Sequence, residues 1–225
     1  MKQFILILFF TISVAFRSHA QSDSYSSIGA PPAGGRMDST AADTLPPLPK
    51  PKLLPDNLSF VERGVWGEDG LVRSLGIASP LTPAVRMHEL SVRRTMLTMH
   101  QIGGFLTLGL MATTVYYGQQ TLDHPSIRSY RRSHSNFVTL TIFSYGATGI
   151  LAALSPPPLI RRDETSTTTI HKTLAWVHFL GMVVTPILGS SLHRSFSYDR
   201  LARFHQASAY ITLAAMTASF SVITF

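Results

Sequence analysis

The sequence predicts an all-α membrane protein, an up-down four-helix transmembrane bundle preceded by a signal peptide and a flexible exported tail. Three observations carry this. The 225 residues are 45% hydrophobic and only 14% charged, with a mean hydropathy of +0.18, which is too apolar for an ordinary soluble domain. Four stretches of about 20 to 23 residues lack Asp, Glu, Lys and Arg altogether, and each would be about 30 Å long as a helix, the thickness of a bilayer core. Short arginine-bearing loops separate them, so neighbouring spans run antiparallel.

Residues 1–20 read as a signal peptide, with Lys2, an apolar run over 4–16, and Ser18 and Ala20 at the minus-three and minus-one positions of a cleavage site. The run is shorter than the roughly 20 residues a spanning helix needs, and the alternative is an uncleaved anchor. In both cases the following segment is exported. Residues 21–57 are rich in Pro, Ser and Gly, with Pro31-Pro32, Gly34-Gly35 and Pro46-Pro47. Such a composition buries too little apolar surface to offset the entropy of ordering, so a disordered extracytoplasmic tail is expected. Residues 58–94 mix Phe60, Val61, Trp66 and Leu71 with Glu62, Arg63, Asp69 and Arg73, the pattern of an interfacial juxtamembrane segment. The bundle then occupies 95–225, with spans at 95–117, 135–154, 173–192 and 204–225.

With the tail outside, the first span runs inward and the fourth returns to end outside. Charge does not set this orientation, because Arg128, Arg131, Arg132, Arg194, Arg200 and Arg203 inside balance Arg86, Arg93, Arg94, Arg161, Arg162 and Lys172 outside. A multi-pass protein with an exported tail fits a bacterial inner membrane.

Several function classes drop out. The chain has no cysteine, which excludes a disulfide framework, a lipoprotein anchor, Cys-ligated zinc, iron–sulfur clusters and covalently attached haem. Its net charge of +7 clusters beside apolar segments, which points to membrane lipid as the partner and not to nucleic acid. The absence of charge inside the spans argues against a proton pump, a voltage sensor or a carboxylate di-metal site. A transporter is disfavoured for the same reason and for want of an inverted repeat of broken helices. The Ile102-Gly103-Gly104 segment lacks the Lys-Ser/Thr pair of a phosphate loop, and no G-x-S-x-G elbow occurs.

What the spans do carry is histidine. His100 lies in the first span, His134 at the start of the second, His171 and His178 in the third, and His205 at the start of the fourth. His100 follows Arg94 by six residues and His178 follows Lys172 by six, both entering from outside. His134 and His205 each follow an arginine by two, entering from inside. Alternate helices thus present histidines at matching depth, one pair per membrane face. Diagonal helices of a four-helix bundle face each other, so each pair can supply two axial imidazoles to a non-covalent haem b, giving one or two haems. His171 and His178 are alternatives for the outer ligand, and depth favours His178. That makes His100, His178, His134 and His205 the metal ligands and His171 a further cofactor-binding residue. Gly103 and Gly104 beyond His100, and Gly181 beyond His178, leave room for a porphyrin. His88, His124 and His193 fall outside the spans or at their edge and read as interfacial.

These residues resemble the cytochrome b561 family of transmembrane electron carriers. The matching pieces are Met99-His100-Gln101-Ile102-Gly103-Gly104, His134, the run from His171 to His178 with Gly181-Met182, and His205-Gln206 with Tyr210. The resemblance covers about residues 95–225. It implies two haems b, with His100 and His171 or His178 on one and His134 and His205 on the other, in a transmembrane oxidoreductase or electron carrier. The chain departs from the family's eukaryotic branch in having four spans instead of six and no match to its ascorbate site, so the electron donor and acceptor are not named. A homodimer is compatible with the composition. The competing reading is a non-redox membrane scaffold or assembly subunit whose histidines are structural.

Overall fold

A computed structural model describes residues 52–160, 166–192 and 196–224, which belong to one compact unit, Lys52–Phe225. The signal peptide, the tail up to Pro51, the loop charges Arg161, Arg162, Asp163 and Glu164, and His193 and Arg194 lie outside the described residues. Among the described residues the chain is all-helical. Two short helices, α1 (Phe60–Trp66) and α2 (Leu71–Ser74), precede four long ones: α3 (Pro83–Asp123), α4 (Arg128–Ala153), α5 (Thr167–Ser191) and α6 (Tyr198–Thr224).

The helix ends follow local chemistry. Ser59 and Glu62 form a reciprocal capping box at α1. At α3 the Thr82 hydroxyl accepts from the Val85 amide at 3.3 Å and Pro83 opens the first turn, while the C-terminal cap His124 directly precedes Pro125. Ser166 caps α5 through the Thr169 amide. The run Pro156-Pro157-Pro158 prevents α4 from continuing.

Helices α4, α5 and α6 are long and apolar enough to cross a membrane, which marks the chain as a membrane protein. Helix α3 is not among them by composition, because His100 and Gln101 interrupt its apolar stretch. Its 41 residues make a rod about 60 Å long, twice a bilayer core. The boundary expected at Arg94 therefore falls inside one continuous helix.

Burial is inverted relative to a soluble protein. The buried positions of the four long helices are chiefly hydroxyl residues, Thr107, Thr114, Thr141, Thr148, Thr185, Thr212 and Ser219, whereas Phe143, Trp176, Phe204 and Ile211 are exposed. That is the expected distribution when the surrounding solvent is lipid. The hydroxyls are satisfied close to home: Thr107 donates to the Gly103 carbonyl at 2.7 Å, Thr114 to Leu110 at 2.8 Å and Thr212 to Ser208 at 2.6 Å.

Helices α3 and α4 pack as one antiparallel hairpin and α5 and α6 as a second, and α3 also meets α6. The α3–α6 contact includes Phe105 edge-on to Phe220, with ring centroids 4.2 Å apart, and a hydrogen bond of 2.7 Å from Gln206 Nε2 to Gln119 Oε1. Within the hairpins, a Cβ on Gly103 would lie 2.5 Å from Thr148 Oγ1, and one on Gly181 would collide with Thr212. These two glycines were expected to leave room for a porphyrin. Instead they let neighbouring helix backbones close on each other, as small residues do in membranes, and of the three named glycines Gly104 alone opens onto free space.

The segment ahead of the spans is docked by buried charge. Arg86 and Glu89 are each only 2% exposed, and Glu89 accepts from Arg86 at 2.9 Å and from Arg73. Arg86 also donates to the carbonyls of Pro157 and Pro158, and Arg93 to the Pro156 carbonyl at 2.6 Å. Trp66 Nε1 donates to the Leu154 carbonyl at 2.9 Å. Residues 58–94 are thus fastened onto the α4–α5 connection, more tightly than an interfacial segment requires. Arg86 and Arg93 serve as internal donors, so a tally of loop charges overcounts them.

Candidate functional site

Each long helix contributes one imidazole to one of two facing pairs. His100 of α3 faces His171 of α5, with ring centroids 6.2 Å apart and planes at 90°. His134 of α4 faces His205 of α6, again at 6.2 Å, with planes at 87°. All four rings are half-buried.

Backbone carbonyls of the hairpin partner orient every ring. His100 Nδ1 lies 2.9 Å from the Thr148 carbonyl, and His134 Nδ1 lies 2.9 Å from that of Thr114. In the second hairpin His171 Nδ1 lies 2.9 Å from the Ser219 carbonyl and His205 Nδ1 2.9 Å from that of Thr185. A carbonyl can only accept, so each Nδ1 carries a hydrogen and Nε2 is the nitrogen left to face the opposite ring. In its neutral form each ring is thereby the tautomer that binds metal through Nε2.

The spacing can be tested against a single metal ion shared by each pair. Metal–imidazole bonds of about 2.0–2.1 Å, with ring centres about 1.1 Å behind each nitrogen, place centroids about 6 Å apart. Both pairs match that distance. Among the described residues no group of three or more His, Cys, Asp or Glu comes together to hold a metal ion. Two opposed histidines are what haem b takes from a protein when both its axial ligands are imidazoles, and either pair could supply them. The residues present fit that group.

A cleft of about 130 Å³ surrounds the second pair, lined by His134 and His205 with Met111, Met182, Pro186 and Ala209. Two glycines stand against the rings of this pair. A Cβ on Gly118 would stand 3.0 Å from His134 Cε1, and one on Gly189 would stand 2.9 Å from His205 Cε1, so neither position accepts a side chain without moving the ring.

Comparison with family models, curated proteins and solved structures finds no match.

The register explains why the pairs form. His171 follows His100 by 71 residues and His205 follows His134 by 71, as Thr185 follows Thr114 and Gly189 follows Gly118. A finer repeat underlies this one. Every long helix carries a histidine, a second marker seven residues later and a hydroxyl residue seven beyond that: His100-Thr107-Thr114, His134-Thr141-Thr148, His171-His178-Thr185 and His205-Thr212-Ser219. Seven residues are close to two helical turns, so the three markers share one face, and the last of them supplies the carbonyl that orients the neighbour's histidine. The fourteen-residue interval separates the two His pairs by about 21 Å along the helices.

The sequence reading named all five spanning histidines but preferred His178 as the partner of His100. The structure puts His171 opposite His100, while the His178 ring meets Tyr145, whose hydroxyl lies 2.8 Å from His178 Nδ1. Depth counted from the nearest charge misleads here because Lys172 and Arg94 do not stand at equivalent levels, whereas the repeat does define the levels. Tyr145, Gly118, Gly189 and the four carbonyl acceptors were missed, and the seven-residue spacing of His and Thr was the signal that could have found most of them. His88 and His124 are exposed, the latter 5.9 Å from the Tyr130 ring, in keeping with interfacial positions.

Proposed function

We propose that this protein is a four-helix transmembrane bundle of cytochrome b561 type that holds two haems b and carries electrons across the membrane. The observation that supports this most is the pair of facing histidines at 6.2 Å, present twice and each with Nδ1 tied to a carbonyl. His100 and His171 would hold one haem and His134 and His205 the other. Bound there, haem b supplies a reversible one-electron iron couple. The rest is done by the chain. Two imidazoles per site fill both axial positions and leave none for oxygen, which suits electron transfer. The carbonyl bonds keep the imidazoles oriented, and the membrane-facing Phe, Trp and Ile side chains keep bulk water away. The antiparallel helices place one pair towards each end of the spans, about 21 Å apart, a separation two large macrocycles would largely bridge. With the signal peptide directing export, the His100–His171 level would face outward and the His134–His205 level the cytoplasm of a bacterial inner membrane. Lipid is then the surrounding partner, with an electron donor and an acceptor at the two ends.

The test is a reduced-minus-oxidised visible spectrum of the detergent-purified protein, made with ample haem supply, together with its haem-to-protein ratio. A b-type spectrum with two haems per chain is the expected result. One haem per chain would discard the relay, and a colourless protein would sink the reading in favour of a scaffold.

A second expectation concerns the cleft glycines. Gly189→Ala forces a Cβ against His205 and is expected to lower haem occupancy at that level severalfold, while Gly64→Ala, which meets open space in α1, leaves it unchanged. Haem content of the two variants, measured side by side at matched expression, checks this.

A further inference from the structure

The four-fold marker pattern has one exception, and it lies halfway between the two His levels. The middle marker is a buried threonine in α3, α4 and α6: Thr107, Thr141 and Thr212 are each at most 2% exposed. In α5 it is His178. On that helix His178 is seven residues from His171, which marks the first His level, and seven from Thr185, whose carbonyl marks the second, so it lies midway, about 10 Å from each along the axis. The threonines return hydroxyl bonds within the helix or to a neighbouring hydroxyl, as Thr141 does with Thr114 at 2.9 Å. An imidazole cannot bond back in this way, and His178 takes Tyr145 of α4 instead.

The partner is also out of pattern. Tyr145 corresponds through the 71-residue repeat to Met216, and His178 corresponds to Thr107. A hydrogen-bonded Tyr–His pair therefore occupies the α4–α5 flank, where the α3–α6 flank has a buried threonine and a buried methionine. The pair is also lopsided along the axis. Tyr145 stands three residues, about 5 Å, from Thr148, which marks the His100–His171 level, but eleven residues, about 16 Å, from His134.

We propose that Tyr145 and His178 are positioning residues, not ligands, that make the two His levels electrostatically unequal and so give electron passage between them a direction. The proposal rests on the haem reading above. In an apolar, water-excluded interior a fixed polar pair acts on nearby charge far more strongly than it would in water. The charge of a level changes by one when it gains or loses an electron, so a dipole nearer one level shifts that level's potential more than the other's. The transfer itself is balanced: one electron leaves one level, which is oxidised, and arrives at the other, which is reduced, with no bond made or broken.

The experiment is a mediated redox titration of the haem-loaded protein, comparing wild type with His178→Thr, which restores the pattern of the other helices, and with Tyr145→Phe. Wild type is expected to show two resolved one-electron steps. His178→Thr is expected to keep both haems and an unchanged b-type spectrum but to bring the two steps together, with one moving more than the other. Tyr145→Phe should shift them in the same sense by less. Loss of a haem in His178→Thr would make His178 a ligand and overturn the proposal. Overlapping steps in wild type, or unchanged steps in both variants, would also overturn it by reducing the pair to a structural contact. A colourless wild-type protein fails the haem reading itself, a result distinct from all of these.

Discussion

His134→Ala and His205→Ala are each expected to remove one haem and leave the other, lowering the ratio from about two per chain to about one. His100→Ala and His171→Ala should remove the complementary one. The expectation follows from separation. The two pairs lie about 21 Å apart along the helices and share no residue, and effects at sites that far apart are normally independent. Within a pair, by contrast, one remaining imidazole faces an open coordination position, so losing either partner costs most of the binding. Haem content and the reduced-minus-oxidised spectrum of the four single variants read this directly. Equal loss of both haems from one substitution would refute the two-site arrangement.

Glu89→Gln carries the largest expected loss of stability outside the spans. Glu89 accepts from both Arg73 and Arg86, and all three side chains are at least nine-tenths buried. The Arg73 Nε already lacks a partner, so no spare acceptor stands by to take over. Glutamine preserves the shape but leaves two buried guanidiniums without a counter-charge, which typically costs about 3–5 kcal/mol. The expected result is detachment of α1 and α2 at denaturant concentrations where the long helices persist. The chain has two tryptophans, so Trp66 fluorescence in a Trp176→Phe background reports this detachment by itself. Asp56→Asn, which removes an exposed pair with Lys52, is the control and should change stability by less than about 1 kcal/mol. A Glu89→Gln protein as stable as that control would show that the buried network contributes nothing.

The sequence made some of this legible and hid the rest for physical reasons. Uncharged stretches of span length are a one-dimensional signal, and the structure duly has long helices at all four. The third criterion for a span, mean apolarity, is met by α4, α5 and α6 but diluted in α3 by His100 and Gln101, the residues that bring α3 into the site. Depth is also one-dimensional, which is why the histidines could be sorted into two levels. Which imidazole meets which is a question of azimuth as well as depth, and counting from Lys172 selected His178 where the helix face selects His171. Tyr145 could not be reached by any local rule, since its partner lies 33 residues away on another helix. The same holds for the two proline carbonyls that accept from Arg86, which lie more than 70 residues downstream in a run that reads only as a helix stop. Gly103 and Gly181 show the reverse failure. Small residues announce close approach but not to what, and the neighbour turned out to be threonine.

The acceptors that orient the four imidazoles belong to the main chain, and this has a consequence for how such a molecule can change over generations. No point substitution deletes a carbonyl, so a change of side chain at 114, 148, 185 or 219 leaves that acceptor in place, subject only to the close packing there. What cannot vary is phase. An insertion or deletion of a single residue between a histidine and its partner helix's carbonyl turns the following face by about 100° and breaks the pairing at once. Descendants of this chain should therefore tolerate wide drift in composition along the spans but almost none in length between the markers, and kinship among them would be written in spacing more than in letters.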